Sequence, residues 1–317
     1  MEQNFLSYFS SKLFVALLGV TPLFCFGQTA ILNNQSWMQT PLFNPAMSGV
    51  LNKLEALAGM QYGGQSVYNP SDWVDLYNPE LFVRADYRID KINSGIGINY
   101  YNNNTDQLFE KENYYISRQR LGVNYNYQFR INQNNLLAVG LSFNLESVNW
   151  NVQWRTPGSP GPDPSLPPST GINNAYNVGA GVFYKNRIWF AGLSMNPIIK
   201  LKQADYFMED EYAYILISGV DAPLNESLKF YGSLILSTDM NTNHVGQIVA
   251  KFTLKEVFYL GAGLTGSNNW FDSWQLMIGA RFAKSVLVHY AYGHAISDLR
   301  TATTPVHTIS VGYFISD

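Results

Sequence analysis

Along most of the chain, apolar and polar residues alternate one for one, the pattern of β-strands whose two faces meet different surroundings. In residues 121–129, Leu121, Val123, Tyr125, Tyr127 and Phe129 take one face, and Gly122, Asn124, Asn126 and Gln128 the other. Residues 81–88 set Leu81, Val83, Ala85 and Tyr87 against Phe82, Arg84, Asp86 and Arg88. Residues 137–146 do the same with Leu137, Val139, Leu141, Phe143 and Leu145 against Ala138, Gly140, Ser142, Asn144 and Glu146. The alternation predicts fourteen strands, near 54–62, 80–88, 94–102, 114–129, 136–150, 175–184, 188–195, 212–220, 228–237, 244–254, 257–265, 273–282, 286–294 and 306–315. No long helical periodicity competes with them.

The connections largely alternate in length. Longer ones fall near 63–79, 103–113, 151–174, 196–211, 238–243, 266–272 and 295–305; shorter ones fall near 89–93, 130–135, 185–187, 221–227, 255–256 and 283–285. A soluble sandwich has no reason to gather its long loops at one end. A bacterial outer-membrane barrel has one: short periplasmic turns, longer extracellular loops, an even strand number and both termini in the periplasm. The predicted fold is therefore all-β, a transmembrane antiparallel outer-membrane β-barrel of about 14 strands. Its apolar face points to lipid and its polar or small face lines the lumen. Closure also pairs the strand edges that hydrocarbon cannot hydrate. Tyr100, Tyr101, Tyr114, Tyr115, Trp150, Trp154, Tyr176, Tyr184, Trp189, Tyr212, Trp270, Trp274 and Tyr313 sit near predicted strand ends, as aromatic girdles require.

Composition narrows the class. The 317 residues are 46% hydrophobic, 15% aromatic and only 14% charged, against roughly 25% charged in a typical soluble domain. Mean hydropathy is nevertheless −0.10, because uncharged polar residues replace the charges. Such a balance excludes a disordered chain. No apolar run beyond residue 27 nears the ~20 residues of a spanning helix. A net charge of −3 with no Lys/Arg cluster in the sequence argues against nucleic acid as a partner.

The start of the chain reads as a secretory signal. Lys12 precedes an apolar stretch from Leu13 to Phe26, and the small residues Cys25 and Gly27 place cleavage before Gln28. Residues 1–27 are thus the expected signal peptide, 28–51 a periplasmic N-terminal segment and 52–317 the barrel. The single cysteine, Cys25, falls in the leader. The mature chain is then expected to form no disulfide and to use neither thiolate catalysis nor cysteine-based zinc.

Candidate chemistry is sparse. His244, His289, His294 and His307 show no metal-ligand spacing, so no metal or other cofactor is expected. His294, Ser297 and Asp298 have the residue types of a triad, but at loop spacing, so no enzyme activity is expected. Arg84, Asp86 and Arg88, with Arg118 and Arg120 nearby, suggest ion pairs inside the lumen. Residues 157–171, PGSPGPDPSLPPSTG, cannot be a strand. This tract is either a plain exposed loop or a semi-rigid contact surface for a partner, carried by Pro160, Pro162, Pro164 and Pro167.

Ahead of the first strand, Trp37-Met38-Gln39-Thr40-Pro41-Leu42-Phe43-Asn44-Pro45-Ala46-Met47-Ser48-Gly49 resembles the N-terminal motif of the PorP/SprF family of outer-membrane proteins of Bacteroidota type IX secretion and gliding machinery. The core of that motif is Asn44-Pro45-Ala46-x-x-Gly49. The resemblance continues through Asn177–Tyr184, Ile188–Ser194 and Asn196-Pro197, then Tyr290-Ala291-Tyr292, Ile296–Leu299 and His307. Met47 departs from it, standing where an aromatic is common, and so does the ending Phe314-Ile315-Ser316-Asp317, which lacks a terminal aromatic. The resemblance implies an outer-membrane component that engages a type IX-secreted, adhesin-like cargo and helps to secrete or anchor it. Other secretion components at the periplasmic face are implied as further partners, besides the outer-membrane lipid itself. From the residues alone, Asn44-Pro45 starts a turn that seats the segment at the periplasmic mouth. The functional alternative is that Trp37, Asn44, Pro45, Ala46 and Gly49 dock a periplasmic partner or plug the lumen. A passive porin or small-molecule channel remains the alternative function.

Overall fold

The computed structural model describes residues 36–69, 72–77, 79–106, 115–151, 168–202, 213–240, 244–267, 271–296 and 305–315. The strands in chain order are β1 (Leu54–Tyr62), β2 (Gly64–Asn69), β3 (Asp72–Tyr77), β4 (Glu80–Ile89), β5 (Ser94–Asp106), β6 (Tyr115–Arg130), β7 (Leu136–Asn151) and β8 (Thr170–Lys185). They continue as β9 (Trp189–Lys202), β10 (Ala213–Pro223), β11 (Leu228–Thr238), β12 (His244–Leu254), β13 (Phe258–Gly266), β14 (Ser273–Phe282), β15 (Val286–Ala295) and β16 (Val306–Ile315). Fourteen of them form one closed antiparallel barrel, in which β1 pairs with β4 on one side and β16 on the other. All fourteen strands read from the alternation are present.

β2 and β3 are the exception. They form a separate two-stranded hairpin inside the first long connection, which the sequence pattern had given no strand. The short turns gather at one end of the barrel, joining β4 to β5, β6 to β7, β8 to β9, β10 to β11, β12 to β13 and β14 to β15. Lys53 N–H donates to Ile315 O, so the start of β1 and the end of β16 share that end.

Period-2 alternation sorts side chains between lipid and lumen. Val123 is 51% exposed on the outer face, while its neighbour Asn124 is 3% exposed inside. Leu141 and Ser142, and Val83 and Arg84, divide the same way. The lumen itself has two characters. Asn99, Asn124, Asn126, Asn144 and Asn177 line it along β5–β8, whereas Ile215, Ile217, Ile235 and Val245 line it along β10–β12.

The girdle expectation needs correcting at two positions. Trp150 is buried inside the barrel, its Nε1 donating to Pro168 O at 2.8 Å. Its ring lies over Gly171, the cross-strand partner that has no side chain to oppose it. Tyr101 also turns inward and packs against the luminal cluster of Trp37 and Phe82. Trp189 and Tyr313 do face outward. Tyr114, Trp154, Tyr212 and Trp270 lie outside the described residues.

Candidate functional site: a plug across the lumen

The segment before β1 does not stop at the mouth. It enters the barrel as three short turns, Ser36–Met38, Thr40–Phe43 and Pro45–Met47, and is buried along almost its whole length. The sequence explains the turns. Pro41 and Pro45 each stand at the first positions of one, where a missing N–H costs nothing. Asn44 caps the last turn, its Oδ1 accepting from Ala46 N–H at 3.0 Å.

Three groups of wall residues hold the plug. On β8 and β9, Asn44 Nδ2 donates to Val182 O at 3.0 Å, and Ser194 Oγ donates to Phe43 O at 2.7 Å. On β6, Asn124 Nδ2 donates to Pro41 O at 2.8 Å and to Ser48 Oγ at 3.1 Å; Asn126 Nδ2 donates to Ser48 O at 2.6 Å. Each side chain therefore satisfies a backbone or hydroxyl group that has left water. Beside these bonds, Phe43, Ala46, Met47 and Val50 pack into an apolar cluster with Phe183 and Phe190 of β8 and β9 and with Ile217 and Ile235 of β10 and β11. Met47, the departure from the family motif, fills that cluster at 2% exposure.

The wall is cut to fit. A Cβ on Gly95 would stand 1.9 Å from Ser48 O, one on Gly140 2.5 Å from Ala46 N, and one on Gly181 2.1 Å from Asn44 Oδ1. Three strands thus lack side chains where the plug lies against them. Gly49 ends the plug with φ +68°, a left-handed conformation that favours glycine, and a Cβ there would lie 2.9 Å from Tyr87 O.

At its other end, Trp37 meets Tyr231 and Tyr259 at ring separations of 5.9 and 6.2 Å, and Lys251 Nζ lies 4.5 Å from the Trp37 ring centre. Trp37 thus touches β11–β13, Asn44 touches β8–β9, and Ser48 lies against β5–β6. All these contacts lie toward the short-turn ends of their strands. The segment is a crossbar over the short-turn side of the lumen.

Buried charges support it from below. Arg84 bridges Glu55 and Asp86 inside the barrel, and the Ser48 hydroxyl donates to Asp86. The expected luminal pairs also include Arg120 with Glu146 at 3.5 Å. At the short-turn rim Asp90 takes three cations: Arg88 at 2.9 Å, Arg130 at 3.3 Å and Lys53 at 3.6 Å. The Arg88 hydrogen bond holds the Asp90 carboxyl below its ordinary range; desolvation opposes it, and the charges of Arg88, Lys53 and Arg130 add to the lowering.

Trp37, Asn44, Pro45, Ala46 and Gly49 thus come together inside the lumen, in contact with the barrel wall. Pro160, Pro162, Pro164 and Pro167 lie outside the described residues, as do Ser297 and Asp298. The histidines are dispersed: His289 bonds Tyr259, His244 bonds Thr238, His307 bonds Tyr290, and His294 rests on Trp274. Among the described residues no three acidic, histidine or cysteine side chains are grouped to hold a metal. Sequence reasoning missed the wall side of the site, Ser194 and the glycines. Their signal was smallness on the luminal register, and Gly181 and Ser194 also lie in the stretches that resemble the family.

Solved outer-membrane proteins share the fold. The CymD monoaromatic hydrocarbon channel aligns with a TM-score of 0.54 at 12% identity, over 92% of this chain and 95% of that one. The Ralstonia pickettii toluene transporter TbuX aligns at 0.52 and 9% identity, over 92% and 97%. The P. putida toluene transporter TodX aligns at 0.50 and 8%, over 86% and 93%. At such identities the likeness is one of fold. No curated protein sequence matches the chain. The profile of the type IX secretion system membrane protein PorP/SprF matches residues 27–313, most of the chain, and the protein therefore belongs to the PorP/SprF family of type IX secretion outer-membrane barrels.

Proposed function

We propose that the protein works by contact, not conduction: it receives a type IX-secreted, adhesin-like cargo in the outer membrane and helps to secrete or anchor it, in secretion or in gliding. The observation that carries this reading is the crossbar. A segment hydrogen-bonded to β6, β8 and β9, in ring contact with β11–β13, packed on an apolar cluster and matched by wall glycines stands across the path a solute would take. That leaves the outer loops and the periplasmic face as the working surfaces. Trp37, Asn44, Pro45, Ala46 and Gly49 serve by keeping the plug seated, so that a secretion component at the periplasmic face meets a fixed rim. The 157–171 tract, with Pro160, Pro162, Pro164 and Pro167, is the first choice for the cargo contact, because prolines lower the ordering cost a partner meets on binding.

The test is to replace residues 158–167 with a short Gly-Ser link, sparing Pro168, which accepts from Trp150, and Thr170, which begins β8. Loop-closure entropy varies slowly with length, so the barrel should persist as a heat-modifiable membrane protein. Surface display of one type IX cargo should fall. Unchanged display removes this loop from the cargo contact. A passive channel predicts instead steady ion conductance from the wild-type barrel in planar bilayers, and conductance of that kind would replace the present reading.

A further inference from the structure

Charge is distributed unevenly between the two ends of the barrel, and only the fold reveals it. Residues 51–53, 88–93, 130–135, 185–188, 221–229, 255–257 and 281–285, at the short-turn end, carry ten Lys and Arg against four Asp and Glu. Residues 63–80, 103–115, 152–169, 200–213, 239–243, 267–272 and 296–305, which join strands at the other end, carry five against fourteen. The excess at the short-turn end is spread around the whole circumference. Each of the six short turns or its flanking residue supplies a cation: Lys91, Arg130, Arg187, Lys229, Lys255 and Lys284. Arg130 shares Asp90, and Lys229 pairs with Asp221 at 2.9 Å. Lys91, Arg187, Lys255 and Lys284 are exposed and make no ion pair among the described residues.

A second ring lies beside the first. Tyr87, Phe129, Trp189, Phe258, Phe282 and Tyr313 are all exposed on the outer face, each at or within a few residues of the short-turn end of its strand. Outward aromatics mark the depth of a membrane–water interface. Long cationic side chains just beyond such a belt reach the headgroup level while their stems cover apolar surface.

We propose that the short-turn rim is a docking surface for anionic phospholipid headgroups, held by Lys91, Arg187, Lys255 and Lys284 below the aromatic belt. The occupant is lipid because the cations encircle the barrel at one depth, as headgroups do; a protein partner selects one sector. The inference rests on the short turns facing the periplasm, and hence the phospholipid leaflet, a point that surface labelling checks separately. The ring fixes the depth and orientation of the barrel, leaving the acidic long-loop end on the opposite side.

The test compares the mature wild-type chain with a quadruple variant, Lys91→Gln, Arg187→Gln, Lys255→Gln and Lys284→Gln. Both are reconstituted in vesicles of phosphatidylethanolamine with a minor fraction of phosphatidylglycerol. Each is then extracted with its surrounding lipid, which is quantified by mass spectrometry. Heat-modifiability on gels establishes that both are folded; all four substitutions lie in exposed turns. Wild-type protein should carry phosphatidylglycerol enriched roughly two- to five-fold over the bulk at low salt, given the usual attraction of a cation to an anionic surface. Enrichment should fall toward bulk in high salt and be absent in the variant. Wild-type lipid at bulk composition, or equal enrichment in both proteins, overturns the proposal. An acidic protein that binds the wild-type rim and not the variant, with no lipid enrichment in either, assigns the rim to a protein and also overturns it.

Discussion

Replacing Gly95 by alanine should unseat the plug while leaving the barrel closed. Gly95 lies in β5, where a Cβ would stand 1.9 Å from the Ser48 carbonyl oxygen, with no rotatable side chain to absorb the overlap. Ordinary contact needs ~3.5 Å, so the plug must retreat by roughly 1.5 Å. The bond from Asn126 to Ser48 O is 2.6 Å long, and such a retreat carries it to about 4 Å, beyond hydrogen-bonding range. Losing that bond costs ~1 kcal/mol, an orphaned buried amide ~1–3, and the overlap itself ~1–3. Together these weaken docking by about 3–7 kcal/mol, a factor of a hundred or more in the seated population. The strand loses nothing, since alanine suits a strand interior better than glycine. Gly263→Ala is the control: the nearest neighbours of its Cβ are atoms of the Gln275 side chain, Nε2 at 2.5 Å and Cγ at 2.9 Å, and not of the plug. The assay combines planar-bilayer conductance with thiol labelling of Met47→Cys, a position now 2% exposed. The only native cysteine, Cys25, precedes the described chain. Gly95→Ala should raise both conductance and labelling, and Gly263→Ala neither. A folded Gly95→Ala barrel with wild-type conductance and labelling refutes the seated plug.

Other expectations follow from the same geometry. Val123→Arg, on the lipid face, should destabilise the barrel by roughly 2–4 kcal/mol if the site lies near the midplane, read by urea-dependent loss of heat-modifiability. Asn124→Arg should keep the barrel but lose the bonds to Pro41 and Ser48, and so resemble Gly95→Ala in conductance. An epitope tag in residues 157–171 should be reached by antibody on intact cells and a tag at 185–187 should not; the reverse pattern overturns the orientation. The Asp90 carboxyl is held low by its three cations, so its stabilising effect is present above the unfolded carboxylate pKa of about 3.9 and lost as pH falls through the lower folded value. The melting gap between wild type and Asp90→Asn should therefore hold steady from about pH 7 to 5 and close below about pH 4; a gap independent of pH contradicts the ion cluster.

The barrel was legible because a strand between lipid and lumen writes its environment into every second residue. At 121–129 both faces read without ambiguity, and the long and short connections then ordered the strands. The β2–β3 hairpin was not legible, since nothing there set it apart from an ordinary long loop. Trp150 and Tyr101 misled for a different reason: an aromatic near a strand end fits a girdle, yet both share the luminal register with Asn144 and Asn99. The plug was legible only as one alternative. Asn44-Pro45 announces a turn anywhere. What places the turn inside the lumen is its fit to Gly95, Gly140, Gly181 and Ser194, residues from distant strands that alternation reports only as small. The luminal ion pairs were legible as types, because a charge on the inward face of a membrane strand must find a partner.

The most direct test is surface proteomics of cells lacking the gene, measured beside uptake of small solutes. Loss of one type IX cargo from the cell surface, with uptake unchanged and display restored by the wild-type gene, is the predicted result. A full complement of surface cargo together with impaired uptake of a small solute would contradict it.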